Sequence, residues 1–235
     1  MQLFYAPDFV TDSYTLSEEE SAHCVKVLRA STGDTLFFTD GRGTLIEACV
    51  ELADKRGTAV RAVRRTADPR PLPYDMTVAC APTKNIDRFE WFVEKAVEVG
   101  CSRVVPLCCD RSERRIVKDE RLRKIAVSAM KQSLKCSLTE VDPMTSFDEF
   151  IRADHGDAQL FIAHCDPSED KRLLRDSIEP HRGVVVLIGP EGDFSPEEVE
   201  CARAAGFRPV SLGDSRLRTE TAALASVMAV ALVNQ

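Results

Sequence analysis

The chain has no apolar run approaching the roughly 20 residues that a membrane-crossing helix needs. It opens on Met1-Gln2-Leu3-Phe4-Tyr5, without a basic stretch leading into a long apolar one. The expectation is a cytoplasmic protein with no membrane partner. None of the nine cysteines belongs to a Cys-x-x-Cys pair, and an odd number without metal spacing argues for reduced core thiols rather than disulfides or zinc. No metal is expected. Gly-x-Gly-x-x-Gly after a strand, a Walker loop, His-Glu-x-x-His and Gly-x-Ser-x-Gly are all missing, so the common nucleotide, protease and hydrolase readings lose their support. His164-Cys165 follows a strand-like run, but neighbours on a strand point opposite ways, which argues against a Cys/His nucleophile.

What is present reads as a soluble globular protein of 235 residues, 44% apolar and 29% charged. The amino-terminal part alternates in short strands: Thr35 to Thr39, the hairpin turn Asp40-Gly41-Arg42-Gly43, Thr44 to Leu52, and Thr58 to Val63. One helix interrupts them, capped by Ser17 with Glu20 three residues on, and carries His23, Val27 and Leu28. A small β-barrel follows from that pattern. Thr66 to Pro73 is a proline-stiffened connector, which sets domains at residues 1–68 and 74–235.

Beyond the connector the period changes. Phe89, Phe92, Val93, Ala96 and Val97 define an amphipathic helix that ends at Gly100. Strands are expected at Met76 to Ala81, Arg103 to Leu107, Leu160 to Ala163, Val184 to Ile188 and Pro209 to Leu212. Helices are expected at Asp119 to Lys135, Ser146 to Arg152, Glu169 to Ile178, Pro196 to Ala205 and Thr219 to Val233. Strand and helix alternate, so the fold class is α/β with a mainly parallel sheet. The sequence shows no internal repeat and no low-complexity tract.

The formal charge of −7 conceals an uneven distribution. Arg103 to Lys135 holds ten basic residues against four acidic ones, and Lys55 to Arg70 holds six against one. Such segments can form a phosphate-binding face, or can simply be solvated charged stretches.

Two loops carry the chemistry. Val184 to Ile188 breaks into Gly189-Pro190-Glu191-Gly192-Asp193-Phe194, and Ser195, Pro196 and Glu198 then start a helix with a capping box. Gly189 and Gly192 let the backbone approach a ligand with no Cβ in the way, which suits an adenine or ribose edge. Alone, a Gly-Pro pair reads equally as a structural turn. The second loop turns at Gly213 and enters an apolar helix through Leu217-Arg218-Thr219-Glu220. Charges at the mouth of such a helix are costly unless used, though an Arg/Glu pair with a Thr219 cap is the plainer alternative.

Taken together, Ile188-Gly189-Pro190-Glu191-Gly192, Phe194-Ser195-x-Glu197-Glu198, Gly206-Phe207, Ser211-Leu212-Gly213 and Leu217-Arg218-Thr219-Glu220-Thr221-Ala222 resemble the RsmE family of ribosomal RNA methyltransferases, in the SPOUT (α/β-knot) superfamily. Glu94-Lys95-Ala96-x-Glu98-x-Gly100 and Arg111-Ser112 are similar to that family's middle segment. His23, Val27-Leu28-Arg29, Gly33-Asp34 and Asp40-Gly41-x-Gly43 are similar to its PUA-like barrel.

The resemblance implies a carboxyl-terminal trefoil-knot domain behind a PUA-like barrel, a homodimer, and S-adenosylmethionine as methyl donor. The implied reaction methylates N3 of one uridine in 16S ribosomal RNA, within the small subunit. Ile188, Gly189, Pro190, Glu191, Gly192, Leu212, Gly213, Leu217 and Thr219 would hold the donor. Arg218 would stabilise the developing imide charge, and Glu220 would take the proton or orient Arg218. Arg29, Arg111, Arg114, Arg115 and Lys131 would contact RNA.

The chain departs from that pattern at Asp193, where glycine is common, at Lys131, where an acidic residue is frequent, and after Gln132-Ser133, where a glycine is often found. Three alternatives stay open: another SPOUT enzyme acting on a ribose 2′-oxygen or a different base, a catalytically silent RNA-binding assembly factor, and a small-molecule methyltransferase that would leave the barrel unused.

Overall fold

Alternation along residues 44–52 puts Ile46, Ala48 and Val50 on one face, and all three are buried. A computed structural model describes residues 2–166 and 170–235. The chain divides into one unit of residues 1–71 with 130–138 and another of 72–129 with 139–235.

The first unit contains β1 (Leu3–Tyr5), β2 (Ser13–Thr15), α1 (Glu18–Lys26), β3 (Thr35–Thr39), β4 (Thr44–Leu52) and β5 (Ala59–Ala67). The strands pair in the order β1-β3-β4-β5-β2, so the expected small barrel is a curled half-barrel. Its core gathers Phe4, Phe9, Phe38, Ile46, Val50 and Val60, with the Phe4 and Phe38 rings stacked at 5.3 Å. Ser17 caps α1 by accepting the Glu20 amide at 3.3 Å. The helix stops at Lys26, short of the expected Leu28, because Arg29 adopts φ +57° and turns the chain. Strand β5 runs past the expected Val63. Its charged end is held by β4, where Glu47 takes Arg64 and Glu51 takes Arg61.

Residues 130–138 complete this unit. The Cys136 carbonyl accepts the Thr39 hydroxyl at 2.8 Å and the Gly43 amide at 2.9 Å, while Leu138 N–H donates to Gly41 O at 2.9 Å. Gly41 has φ +76°, and a Cβ there would stand 2.7 Å from the Tyr5 ring. The Asp-Gly turn therefore does two jobs, closing the hairpin and docking this segment.

The second unit contains β6 (Met76–Cys80), α2 (Ile86–Val99), β7 (Arg103–Cys108), α3 (Asp119–Gln132), β8 (Glu140–Val141), β9 (Thr145–Ser146), α4 (Phe147–Arg152), β10 (Gln159–Ala163), β11 (Val184–Ile188), α5 (Pro196–Ala204), β12 (Arg208–Val210) and α6 (Thr219–Val233). The last residues of α3, from Met130, count with the first unit. Every strand pair is parallel, in the order β12-β10-β11-β6-β7-β8, with β9 also on β7. Strand β11 is buried along its whole length, as a central strand covered on both faces must be. One face carries Phe147, Phe150 and Ile151 of α4 and Ala202 of α5; α2 and α6 pack together, with α6 also against β6 and β11.

The helix expected over Glu169 to Ile178 is corrected. Only a 3-10 turn, Leu174–Asp176, forms there, and Glu169 lies outside the described residues. Around it the backbone pairs with residue 211 instead: Leu174 N–H donates to Ser211 O, and Ser211 N–H to Arg172 O, both at 2.9 Å. No helix among the described residues is long and apolar enough to cross a membrane.

Thr39 is fully buried and its hydroxyl both donates to Cys136 O and accepts Gly41 N–H. Thr39→Val leaves that amide without its partner and should lower unfolding free energy by about 1–3 kcal/mol. Thr39→Ser should not. Urea melts of the two variants check this, and equal midpoints would contradict it.

Candidate functional site

In a parallel sheet, loops leaving the carboxyl ends of neighbouring strands meet at one edge. Here β11, β6 and β7 are neighbours, and the loops after them, residues 189–195, 81–85 and 109–115, are tied together. Ala81 N–H donates to Ile188 O at 3.0 Å, and Lys84 N–H to the Glu191 carboxylate at 2.8 Å. The capping box expected at Ser195 and Glu198 forms. Glu198 has a second task, accepting the Asp110 amide at 2.9 Å through its other oxygen, and Ser195 donates to the Asp110 carboxylate at 3.0 Å.

The glycines of the first loop serve different ends. A Cβ on Gly189 would meet the Phe194 ring and amide at 3.0–3.1 Å, so Phe194 would have to shift by a few tenths of an ångström to keep its place against the loop. Ile188, Gly189 and Pro190 are buried, whereas Glu191 and Gly192 are exposed. Asp193, the departure from the resembled pattern, sits at φ +62°. That conformation favours glycine. The Asp193 carboxylate offsets the strain by accepting the amides of Cys165 at 2.8 Å and Phe194 at 2.9 Å. The other missing glycine has the same explanation: Leu134, which follows Gln132-Ser133, has φ +56° as α3 ends.

In the second loop Ser211 Oγ accepts the Gly213 amide at 3.1 Å. Gly213 has φ +121°, and among the described residues nothing lies within 4 Å of where its Cβ would stand. Leu212 and Leu217 flank this open surface half-buried, Thr219 and Glu220 are buried, and Arg218 is exposed. Arg218 supplies the amino-terminal cap position of α6, and its guanidinium has no hydrogen-bond or ion-pair partner among the described residues. Glu220 lies within 4.0 Å of Arg88 on α2. Sequence reasoning missed Arg88, which no local pattern connects to a residue so far along the chain. Burial pushes the Cys80 thiol well above its ordinary pKa, helped by the Glu220 and Glu191 carboxylates. Glu191 of the first loop is tied to the loop after β6 through the Lys84 amide, and α6, which the second loop enters, packs against β6 and β11.

The expected RNA contacts divide. Arg29 is exposed and without a side-chain partner among the described residues. Arg111 donates to the carbonyls of Gly192 at 2.9 Å and Phe194 at 3.1 Å; Arg114 donates to those of Thr83 at 3.1 Å and Lys84 at 2.7 Å. Arg115 donates to Asp110 O at 2.9 Å. Lys131 pairs with Glu20 at 2.6 Å, with its ammonium 5.9 Å from the Phe4 ring centroid. Arg103 and Arg121 are likewise paired, with Asp142 and Glu90. Among the described residues no group of three His, Cys, Asp or Glu side chains is placed to hold a metal ion.

Comparison with known proteins fits this geometry. Residues 70–231 match the family described as RNA methyltransferase domain, and residues 16–61 match RNA methyltransferase PUA domain. A probable rRNA-methyltransferase from Porphyromonas gingivalis superposes with a TM-score of 0.92 at 42% identity, covering 100% of this chain and 98% of that one. Ribosomal RNA small subunit methyltransferase E from Neisseria gonorrhoeae, bound to S-adenosyl methionine, superposes with a TM-score of 0.87 at 25% identity over 100% and 98% of the two chains. The protein of that name from Synechocystis sp. is 29% identical over 97% of this chain and 77% of its own. The chain belongs to the RNA methyltransferase family whose curated members are named ribosomal RNA small subunit methyltransferase E.

Proposed function

We propose that the protein transfers a methyl group from S-adenosylmethionine to N3 of a uridine in 16S ribosomal RNA of the small subunit. The observation that supports this is that the first glycine loop is tied to the loop after β6 through Lys84 and Glu191, while α6, which opens with Arg218 and Glu220, packs against β6 and β11. Ile188 to Gly192, Leu212, Gly213, Leu217 and Thr219 would hold the donor. Bound to them, S-adenosylmethionine supplies a methyl group already activated by its sulfonium.

Uracil N3 carries a weakly acidic proton that must leave as the methyl arrives. The unpartnered Arg218 guanidinium is suited to the negative charge that then develops on the imide. Glu220, held near Arg88 rather than paired with Arg218, is suited to accept the proton. Because N3 is occupied in a paired uridine, the base must be splayed out. The exposed Arg29 is proposed as a phosphate contact, within an RNA-binding domain of residues 1–68 that precedes the methyltransferase domain of 74–235. The trefoil knot implied by the family resemblance belongs to this reading as well.

Incubating unmodified small subunits with labelled donor should yield 3-methyluridine; label on a ribose 2′-oxygen would assign the chain to the alternative SPOUT reaction. Arg218→Ala should lower turnover at least a hundredfold, on the order of one lost transition-state contact, with donor affinity unchanged. Lost donor affinity would make Arg218 structural instead.

A homodimer is also proposed. Helix α6 carries no charge after Glu220, yet leaves Met228 and Leu232 exposed, and Trp91 is exposed on α2, against which α6 packs. Sedimentation should give a dimer that Leu232→Glu dissociates; a monomeric wild type would contradict it.

A further inference from the structure

We infer that Arg111 is a positioning residue of the donor site: its guanidinium holds the glycine loop in binding shape before any ligand arrives. The inference rests on the donor reading above and reassigns a side chain whose charge first suggests RNA.

Gly192 O and Phe194 O lie in the loop beyond β11, and one nitrogen of Arg111 donates to both, at 2.9 and 3.1 Å. The Arg111 stem passes over Gly192, where a Cβ would be 3.5 Å away. The same loop is held further on by the adjacent Asp110, whose carboxylate accepts from Ser195 Oγ and whose amide donates to Glu198. Arg114 repeats the device on the neighbouring loop, donating to Thr83 O and Lys84 O. The Lys84 amide then donates to Glu191. Three loops are joined in a closed ring in which Arg111 touches the glycine loop directly.

A guanidinium with planar, fixed donors loses little freedom when it makes such bonds. Charge-assisted bonds to carbonyls are also worth more than neutral ones. Removing Arg111 frees the loop, so part of the ligand's binding energy must be spent on ordering it. The bonded nitrogen is, by the same geometry, poorly placed to meet phosphate.

The test is calorimetric titration of S-adenosylmethionine into wild type, Arg111→Ala and Arg111→Lys, with RNA affinity measured alongside. Arg111→Ala should weaken donor binding about tenfold or more, the scale of one lost charge-assisted bond. RNA affinity and turnover at saturating donor should stay within about twofold of wild type, so the effect falls on KM for the donor and not on kcat. Arg111→Lys should be intermediate, and millimolar guanidinium ion should restore part of the binding in Arg111→Ala. Arg152→Ala, on α4, is the control.

Unchanged donor affinity in Arg111→Ala overturns the inference. So does lowered RNA affinity with unchanged donor affinity, which would make Arg111 a phosphate contact. If Arg111→Ala fails to fold, Arg111→Lys decides: weakened donor binding with intact RNA binding supports the inference, and wild-type donor affinity overturns it. Absence of donor binding by the wild type overturns the donor reading itself, and the inference with it, and is distinguishable because it appears before any substitution is made.

Discussion

The carbonyls of Gly192 and Phe194 lie past the end of β11, and the Arg111 guanidinium satisfies both. Much of the site's order depends on that one contact. A loop that recognises a ligand with its backbone must leave some polar groups exposed while keeping the others satisfied, or it collapses onto itself. The ring of side-chain bonds from Arg111, Asp110, Arg114, Glu191 and Glu198 meets that requirement from neighbouring loops. Phe194 meets it from below, filling the space that a Cβ on Gly189 would occupy.

The same accounting changes the reading of charge. A sequence tally of basic residues suggests wide phosphate-binding faces, but most of the arginines concerned are engaged within their own unit. Glu47 and Glu51 take Arg64 and Arg61 across the β4–β5 pair, and Arg65 donates to the carbonyls of Phe9 and Thr11. Asp142 and Glu90 take Arg103 and Arg121. Arg29 and Arg218, by contrast, are exposed and without a side-chain partner among the described residues.

Elements set by local pattern were legible in the sequence. The apolar run 184–188, the periodic face of α2 and the capping box at Ser195 all occur where their residues put them. Features that depend on distant partners were not. Residues 172–174 bond to Ser211 rather than forming a helix, β5 outruns its apolar stretch because Glu47 waits opposite, and residues 130–138 are claimed by Thr39 and Gly41. The site divides along the same line. Glycine positions could be read because backbone geometry is local, and even the departures at Asp193 and Leu134 turn out to be left-handed residues. The pairing of Glu220 with Arg88, and the use of Arg111 on carbonyls, join segments that only the fold brings together.

On this reading the protein itself shapes the donor loop before any ligand is present. Hydrogen exchange of the ligand-free protein tests it at the amides of Asp193, Phe194 and Ser195, which donate to Pro190 O, the Asp193 carboxylate and the Glu198 carboxylate. Slow exchange is expected at all three without donor, changed little when S-adenosylmethionine is added. Exchange at the rate of an unstructured peptide, with protection arising only after the donor binds, would contradict it.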